Sequence, residues 1–189
     1  MITGHFGLAA AVKSVGRPVP LWSLMVATIW LDVVFAPLYI AGIEHIDPVP
    51  GTDGGYGDGI IYADYTHSLL GALVIAAATG LLCARWWGRR GGVVIGAVVF
   101  SHWLLDLVVH RTDLPLLPGN AGDLPRLGLG LWQYHALTAT IEALLVVVGA
   151  ALYWRAARQT GGPKPRINLI TALILASGAA TLALDLAGI

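Results

Sequence analysis

Three side chains in one apolar run carry the chemistry of this chain. They are His102, Asp106 and His110 of Phe100-Ser101-His102-Trp103-Leu104-Leu105-Asp106-Leu107-Val108-Val109-His110, each four residues from the next. That spacing puts all three on one face of a helix. The rest of the run is almost wholly apolar and reads as membrane-spanning. Ionisable groups in such a place are expensive and face a partner or a wet cavity. Imidazole and carboxylate at this spacing can hold one metal ion from a single helix face. The alternative is a polar cluster that joins helices by hydrogen bonds.

Composition sets the surroundings of this run. Of the 189 residues, 57% are hydrophobic and 12% charged, and the mean hydropathy is +0.74. A soluble domain carries about 25% charged residues. The expectation is therefore an all-α, polytopic membrane bundle forming one domain over residues 1–189. Net charge is zero, so nucleic-acid binding has no electrostatic support. One cysteine, Cys83, excludes an internal disulfide and a multi-thiolate metal site. Lys13 and Arg17 follow the first apolar stretch instead of preceding it, unlike a signal peptide.

A spanning helix needs about 20 apolar residues, and about five segments qualify. They run from Pro20 to Ile43, Tyr65 to Trp87, Gly92 to His110, Leu131 to Trp154 and Ile167 to Leu186. The stretch from Ile2 to Val12 is too short to span. It lies in the interface or enters partway as a half-helix. Under this topology Lys13, Arg17, Arg85, Arg89, Arg90, Arg155, Arg158, Lys164 and Arg166 share one side. Arg111 and Arg126 fall on the other. Cytoplasmic loops carry the excess of Lys and Arg. A cytoplasmic amino terminus in an inner membrane of bacterial type is the expectation. The outer loop from Glu44 to Asp64 has no Lys or Arg and reads as an acidic lid or a solvated turn. The outer loop from Arg111 to Gly130 should be ordered, because Leu114, Leu116 and Leu117 need cover.

Other polar residues inside these segments converge on the same depth. Asp32 lies near the middle of the first segment, and His67 starts the second. His102 and Asp106 lie about 12 Å and 6 Å below the outer end of the third. His135 is near the outer surface of the fourth, and Glu142 is about 16 Å deep. His5 reaches the level of Asp32 if Ile2–Val12 is a half-helix, and stays uninvolved if that segment is interfacial. Imidazoles with carboxylates suit zinc, iron, nickel or manganese, with zinc the first expectation. Asp32, His67, His102 and Asp106 suffice for one ion, with His5 as a further ligand. A bound metal brings the pKa of its water towards about 7. Glu142 and His135 are the candidates to move protons. Ser68 and Ser101 each adjoin a histidine, but adjacent helix positions do not face one another.

These residues, in this order, resemble the family of inner-membrane, LexA-binding-associated metal-dependent hydrolases. Thr3-Gly4-His5-Phe6-Gly7-Leu8 is similar to the family's opening Thr-His and small-residue helix, with one residue inserted. Asp32 of Trp30-Leu31-Asp32 matches one member of an aspartate pair. Thr66-His67-Ser68 matches the second half of a His-Arg-x-x-Thr-His-Ser motif, and Tyr62 stands at its earlier histidine. His102 and Asp106 match a His-x-x-x-Asp motif, and Leu116-Leu117-Pro118-Gly119 matches the loop after it. The resemblance covers about the first 120 residues. It implies a hydrolase, and an outward-facing site implies a lipid-linked or periplasmic ester or phosphoester. The partners expected are membrane lipids and a lipid-like substrate, with a homo-oligomer left open. The rival readings are a metal-binding membrane protein without catalysis and a small transporter.

Overall fold

In an apolar surrounding every backbone N–H and C=O must pair within the chain, and helices do this locally. The computed structural model describes residues 2–15, 19–52 and 55–187 and is mostly helical. Arg17 and Asp53 lie outside the described residues. The helices are α1 (Ile2–Ser14), α2 (Leu21–Thr28), α3 (Trp30–Ile40), α4 (Leu69–Val109), α5 (His135–Gln159) and α6 (Lys164–Ala187). α4, α5 and α6 are each long and apolar enough to cross a membrane. α2 and α3 pass the same test as a pair bent by 46°. By this measure there are three candidate spans, or four counting the bent pair, against the five expected.

Gly88 accounts for the difference. The sequence puts separate segments at Tyr65–Trp87 and Gly92–His110, whereas α4 runs through both. Within it Gly88 is non-helical, at φ 66° and ψ 175°. A Cβ on Gly80 would lie 2.8 Å from the Gly92 carbonyl oxygen, and one on Gly96 would lie 3.0 Å from that of Ala76. On a straight helix Gly80 and Gly92 would be about 18 Å apart. The chain therefore folds back at Gly88, and the two halves of α4 pack against each other through small residues.

α1 is an interior helix. Thr3, His5, Ala9 and Ala10 are buried. It crosses α5 so closely that a Cβ on Gly149 would be 2.0 Å from the Gly7 carbonyl oxygen. Leu24, Leu31, Ala72, Val98, Val99 and Trp103 form the main apolar core between α2, α3 and the two halves of α4. Ala10, Val146, Ala150, Tyr153 and Ile174 form a second core where α1, α5 and α6 meet.

The chain is not wholly α. In the Glu44–Asp64 loop β1 (His45–Pro48) pairs antiparallel with β2 (Gly59–Tyr62), His45 lying opposite Tyr62. Strands of four residues are too short to show a period against the surrounding Gly and Asp. The Arg111–Gly130 loop is ordered, as expected. Leu114 is buried and bridges to Leu127. The carbonyls of Pro115 and Leu116 accept from the amides of Leu69 and Leu70, covering the first turn of α4.

The basic turns gather at one end. Lys13 Nζ donates to the Val19 carbonyl, and Val19 lies beside Gly91, just past the Arg89–Arg90 turn. Ala10 packs with Tyr153 and Ala157, on the way to Arg155, Arg158 and Lys164. The loops at 44–64 and 111–130 form the other end. There Arg111 lies 3.7 Å from Asp58, and Arg126 donates twice to Asp64, at 2.7 and 3.0 Å.

The α1–α5 crossing yields a direct test. Gly149→Ala sets a methyl against backbone that cannot swing aside, and overpacking of this kind costs about 1–3 kcal/mol. Its melting temperature in detergent should fall clearly, whereas Gly55→Ala, with open space around it, should melt like the parent. Equal melting of the two variants would contradict the crossing.

Candidate metal centre

Each part of the centre is aimed by a local feature. His67 stands just before α4, whose N-cap Ser68 accepts from the Gly71 amide at 3.0 Å. Trp103, buried in the second half of α4, donates from Nε1 to the His67 carbonyl at 2.8 Å and ties the two halves together there. His102 and Asp106 share a face of that second half. His102 Nδ1 donates to the Thr28 carbonyl at 2.8 Å, at the bend between α2 and α3. A carbonyl is acceptor only, so His102 turns its Nε2 inward. The same bend brings Asp32, in the first turn of α3, to the centre.

The inward atoms are close together. His67 Nε2 and His102 Nε2 are 3.3 Å apart, and each is 3.5 Å from Asp32 Oδ1. Asp106 Oδ2 is 2.9 Å from His102 Nε2 and 3.7 Å from His67 Nε2. Its Oδ1 is 3.4 Å from His5 Nε2. Asp32, His67 and His102 form one three-ligand group, and His5, His102 and Asp106 form another. The two share His102. Its Nδ1 is committed to Thr28, so one ion at a time can use its Nε2.

His5 rides on α1 and stacks on His102, ring centroids 4.0 Å apart. It is fully buried, yet neither ring nitrogen has a hydrogen-bond partner among the described residues. Buried polar atoms are normally satisfied, and an orphaned imidazole beside a carboxylate suits a missing cation. His67, His102 and Asp106 are also buried, whereas the Asp32 side chain is 38% exposed. The centre therefore opens towards α3. An apolar cavity of about 490 Å³ lies between α2 and α4, lined among others by Trp22, Trp30, Trp86 and Trp87, and none of the centre's histidines or aspartates lines it.

The two residues expected to move protons sit elsewhere. Glu142 is fully buried on α5, but its Oε2 accepts from the Gly4 amide at 3.1 Å. Its Oε1 accepts from the Tyr56 hydroxyl, which reaches in from the 44–64 loop. Glu142 thus caps the amino end of α1 and acts on the centre through His5. Burial, and then the bond to Glu142, push the Tyr56 hydroxyl well above the usual tyrosine range. His135 is half exposed at the start of α5 and lies 3.3 Å from Asp58. Ser68 and Ser101 bond to nearby backbone carbonyls.

Sequence reasoning kept His110 out of the ligand set and did not single out two further residues next to the centre. His110, the third member of the opening triplet, is buried, with Nε2 3.8 Å from Asp106 Oδ2. Asp113 accepts from His110 Nδ1 at 2.9 Å and from the Ile61 amide at 3.1 Å. Glu44 is fully buried and accepts from the amides of Tyr65 and Thr66 and from the Thr66 hydroxyl. The available signal was position: Glu44 and Asp113 each end an apolar segment facing the histidines. No protein-family model, curated protein or solved structure matches the chain.

Proposed function

We propose that this chain is an integral membrane protein that holds a divalent transition metal, zinc first, and uses it to hydrolyse a lipid-linked or periplasmic ester or phosphoester. The observation that carries the reading is the triangle of Asp32 Oδ1, His67 Nε2 and His102 Nε2, with edges of 3.3, 3.5 and 3.5 Å. Tetrahedral zinc with bonds of about 2.0–2.1 Å spaces its ligand atoms about 3.3 Å apart. Three protein ligands with room left over is the pattern of catalytic zinc, and Asp32 provides the open side. Asp106 and His5 flank the triangle. A divalent ion here supplies Lewis acidity and a water that ionises near neutral pH.

The membrane arrangement follows from the fold-back at Gly88. Counting the halves of α4 separately, with the bent pair, α5 and α6, gives five spans. The basic end faces the cytoplasm, with the amino terminus inside and the metal centre in the outer half. A second reading is a metal-binding protein without catalysis. It is favoured by the engagement of Glu142 with Gly4 and Tyr56 and of His135 with Asp58. Transport is the least supported, because Leu24, Leu31, Val98 and Val99 fill the bundle beside the centre.

Metal content tests the core of the proposal. Protein purified in detergent without chelator should carry near-stoichiometric transition metal by elemental analysis. His102→Ala and Asp106→Ala should lose most of it, since few ligands hold the ion. Full metal content in both variants would remove these residues from the centre.

Thiol labelling tests the orientation. In a Cys83→Ser background, Asp47→Cys and Ala121→Cys should react with an impermeant reagent on intact cells, and Gln159→Cys only after lysis. The opposite pattern would put the centre on the cytoplasmic side.

Hydrolysis of a chromogenic phosphoester or ester with an alkyl tail should rise with pH through neutrality, stop with chelator and return with zinc. Asp32→Asn keeps the side chain's shape but loses its charge, and should reduce the rate at least tenfold. Metal-loaded protein without activity on either ester class would leave the second reading standing.

A further inference from the structure

Beyond the ligands themselves, the hydrogen bonds behind His67 have a direction that can be worked out. Thr66 Oγ1 has one proton. It lies 2.9 Å from Glu44 Oε2 and 2.9 Å from His67 Nδ1. A carboxylate accepts only. Its other oxygen, Oε1, is occupied by the amides of Tyr65 and Thr66, at 2.8 and 2.9 Å. The hydroxyl proton therefore goes to Glu44, and the hydroxyl oxygen is left to accept from His67 Nδ1–H. In the neutral, metal-binding ring that places the lone pair of His67 on Nε2, the atom 3.5 Å from Asp32 and 3.3 Å from His102 Nε2.

We infer that Glu44 is a positioning residue: through the Thr66 hydroxyl it fixes the proton on His67 Nδ1 and aims the Nε2 lone pair into the centre. The other two histidines on this side are held by the same logic. His102 Nδ1 donates to the Thr28 carbonyl, and His110 Nδ1 donates to Asp113, which is itself anchored by the Ile61 amide. Three imidazoles from two stretches of chain thus each have their Nδ1 tied from behind and their Nε2 turned towards the Asp32 and Asp106 carboxylates. A buried carboxylate is costly unless fully hydrogen-bonded. Three donors on Glu44, fully buried and outside the ligand set, are explained if its task is to set this tautomer. Groups that orient a metal-binding histidine from behind typically account for a 10–100-fold change in metal affinity.

The inference rests on the proposed metal site for its consequence, but the direction of the hydrogen bonds does not need a metal. It is tested by nitrogen-15 NMR of histidine-labelled protein in micelles, metal-free and zinc-loaded, with His67 assigned by His67→Gln. In the parent, His67 Nδ1 should show the shift of a protonated ring nitrogen in both states. Thr66→Ser keeps the hydroxyl and should preserve that shift and the zinc affinity. Thr66→Val removes the acceptor, so metal-free protein should show an unprotonated Nδ1, and zinc affinity should fall about 10–100-fold. An unprotonated Nδ1 in the parent, or a Thr66→Val variant with parental shift and affinity, would overturn the assignment to Glu44. Protonated Nδ1 in a parent that binds no zinc would instead overturn the metal reading and leave the hydrogen-bond relay intact.

Discussion

Two imidazoles and two carboxylates can face one another inside an apolar bundle only where positive charge, a proton or a cation, lies among them. His67 Nε2 and His102 Nε2 approach to 3.3 Å, with Asp32 and Asp106 around them. Without that charge the two carboxylates repel, and low polarity around them makes the repulsion larger than it would be in water. Much of the remaining structure can be read as what holds this unfavourable set in place. Trp103 pins His67 from one half of α4 to the other, the α2–α3 bend supplies a carbonyl for His102, and Glu142 seats the helix that carries His5. None of these contacts is in itself large. Together they keep the groups from relaxing apart, and a bound cation would convert the repulsion into affinity.

The sequence exposed the members of this set because apolar segments have so few ionisable residues. Asp32, His67, His102 and Asp106 stand out against runs of Leu, Val and Ala, and helical spacing alone joins the last two. The groups behind them were hidden for the opposite reason. Glu44 and Asp113 lie beside loops rich in Asp, Gly and Pro, where an acidic residue is ordinarily solvated. Only the fold reveals that one is fully buried and the other nearly so. Glu142 was visible as a deep carboxylate, but its partners were not. One is a backbone amide, which has no sequence signature, and the other is a tyrosine 86 positions earlier.

Element boundaries followed the same division. The apolar runs announced helices, and the gap left between Trp87 and Gly92 holds the break at Gly88. Its neighbours set the geometry: Gly80, Gly92 and Gly96 let two backbones approach where any side chain would hold them apart. The short hairpin of β1 and β2 was illegible because four residues do not make a period. It nonetheless matters, since the loop it closes carries Tyr56 down to Glu142.

The cap on α1 has a consequence for how the molecule is made. His5 is synthesised 137 residues before Glu142, which holds its helix. Until α5 has been synthesised, α1 has neither the carboxylate for its amide nor the Gly149 groove for its backbone. Asp32, His67, His102 and Asp106 all precede α5, so their part of the cluster can assemble first. Seating His5 is then the final step, and it couples the completeness of the nascent chain to the completeness of the centre. The polar cluster is thus closed on the His5 side only once the fifth helix is in place.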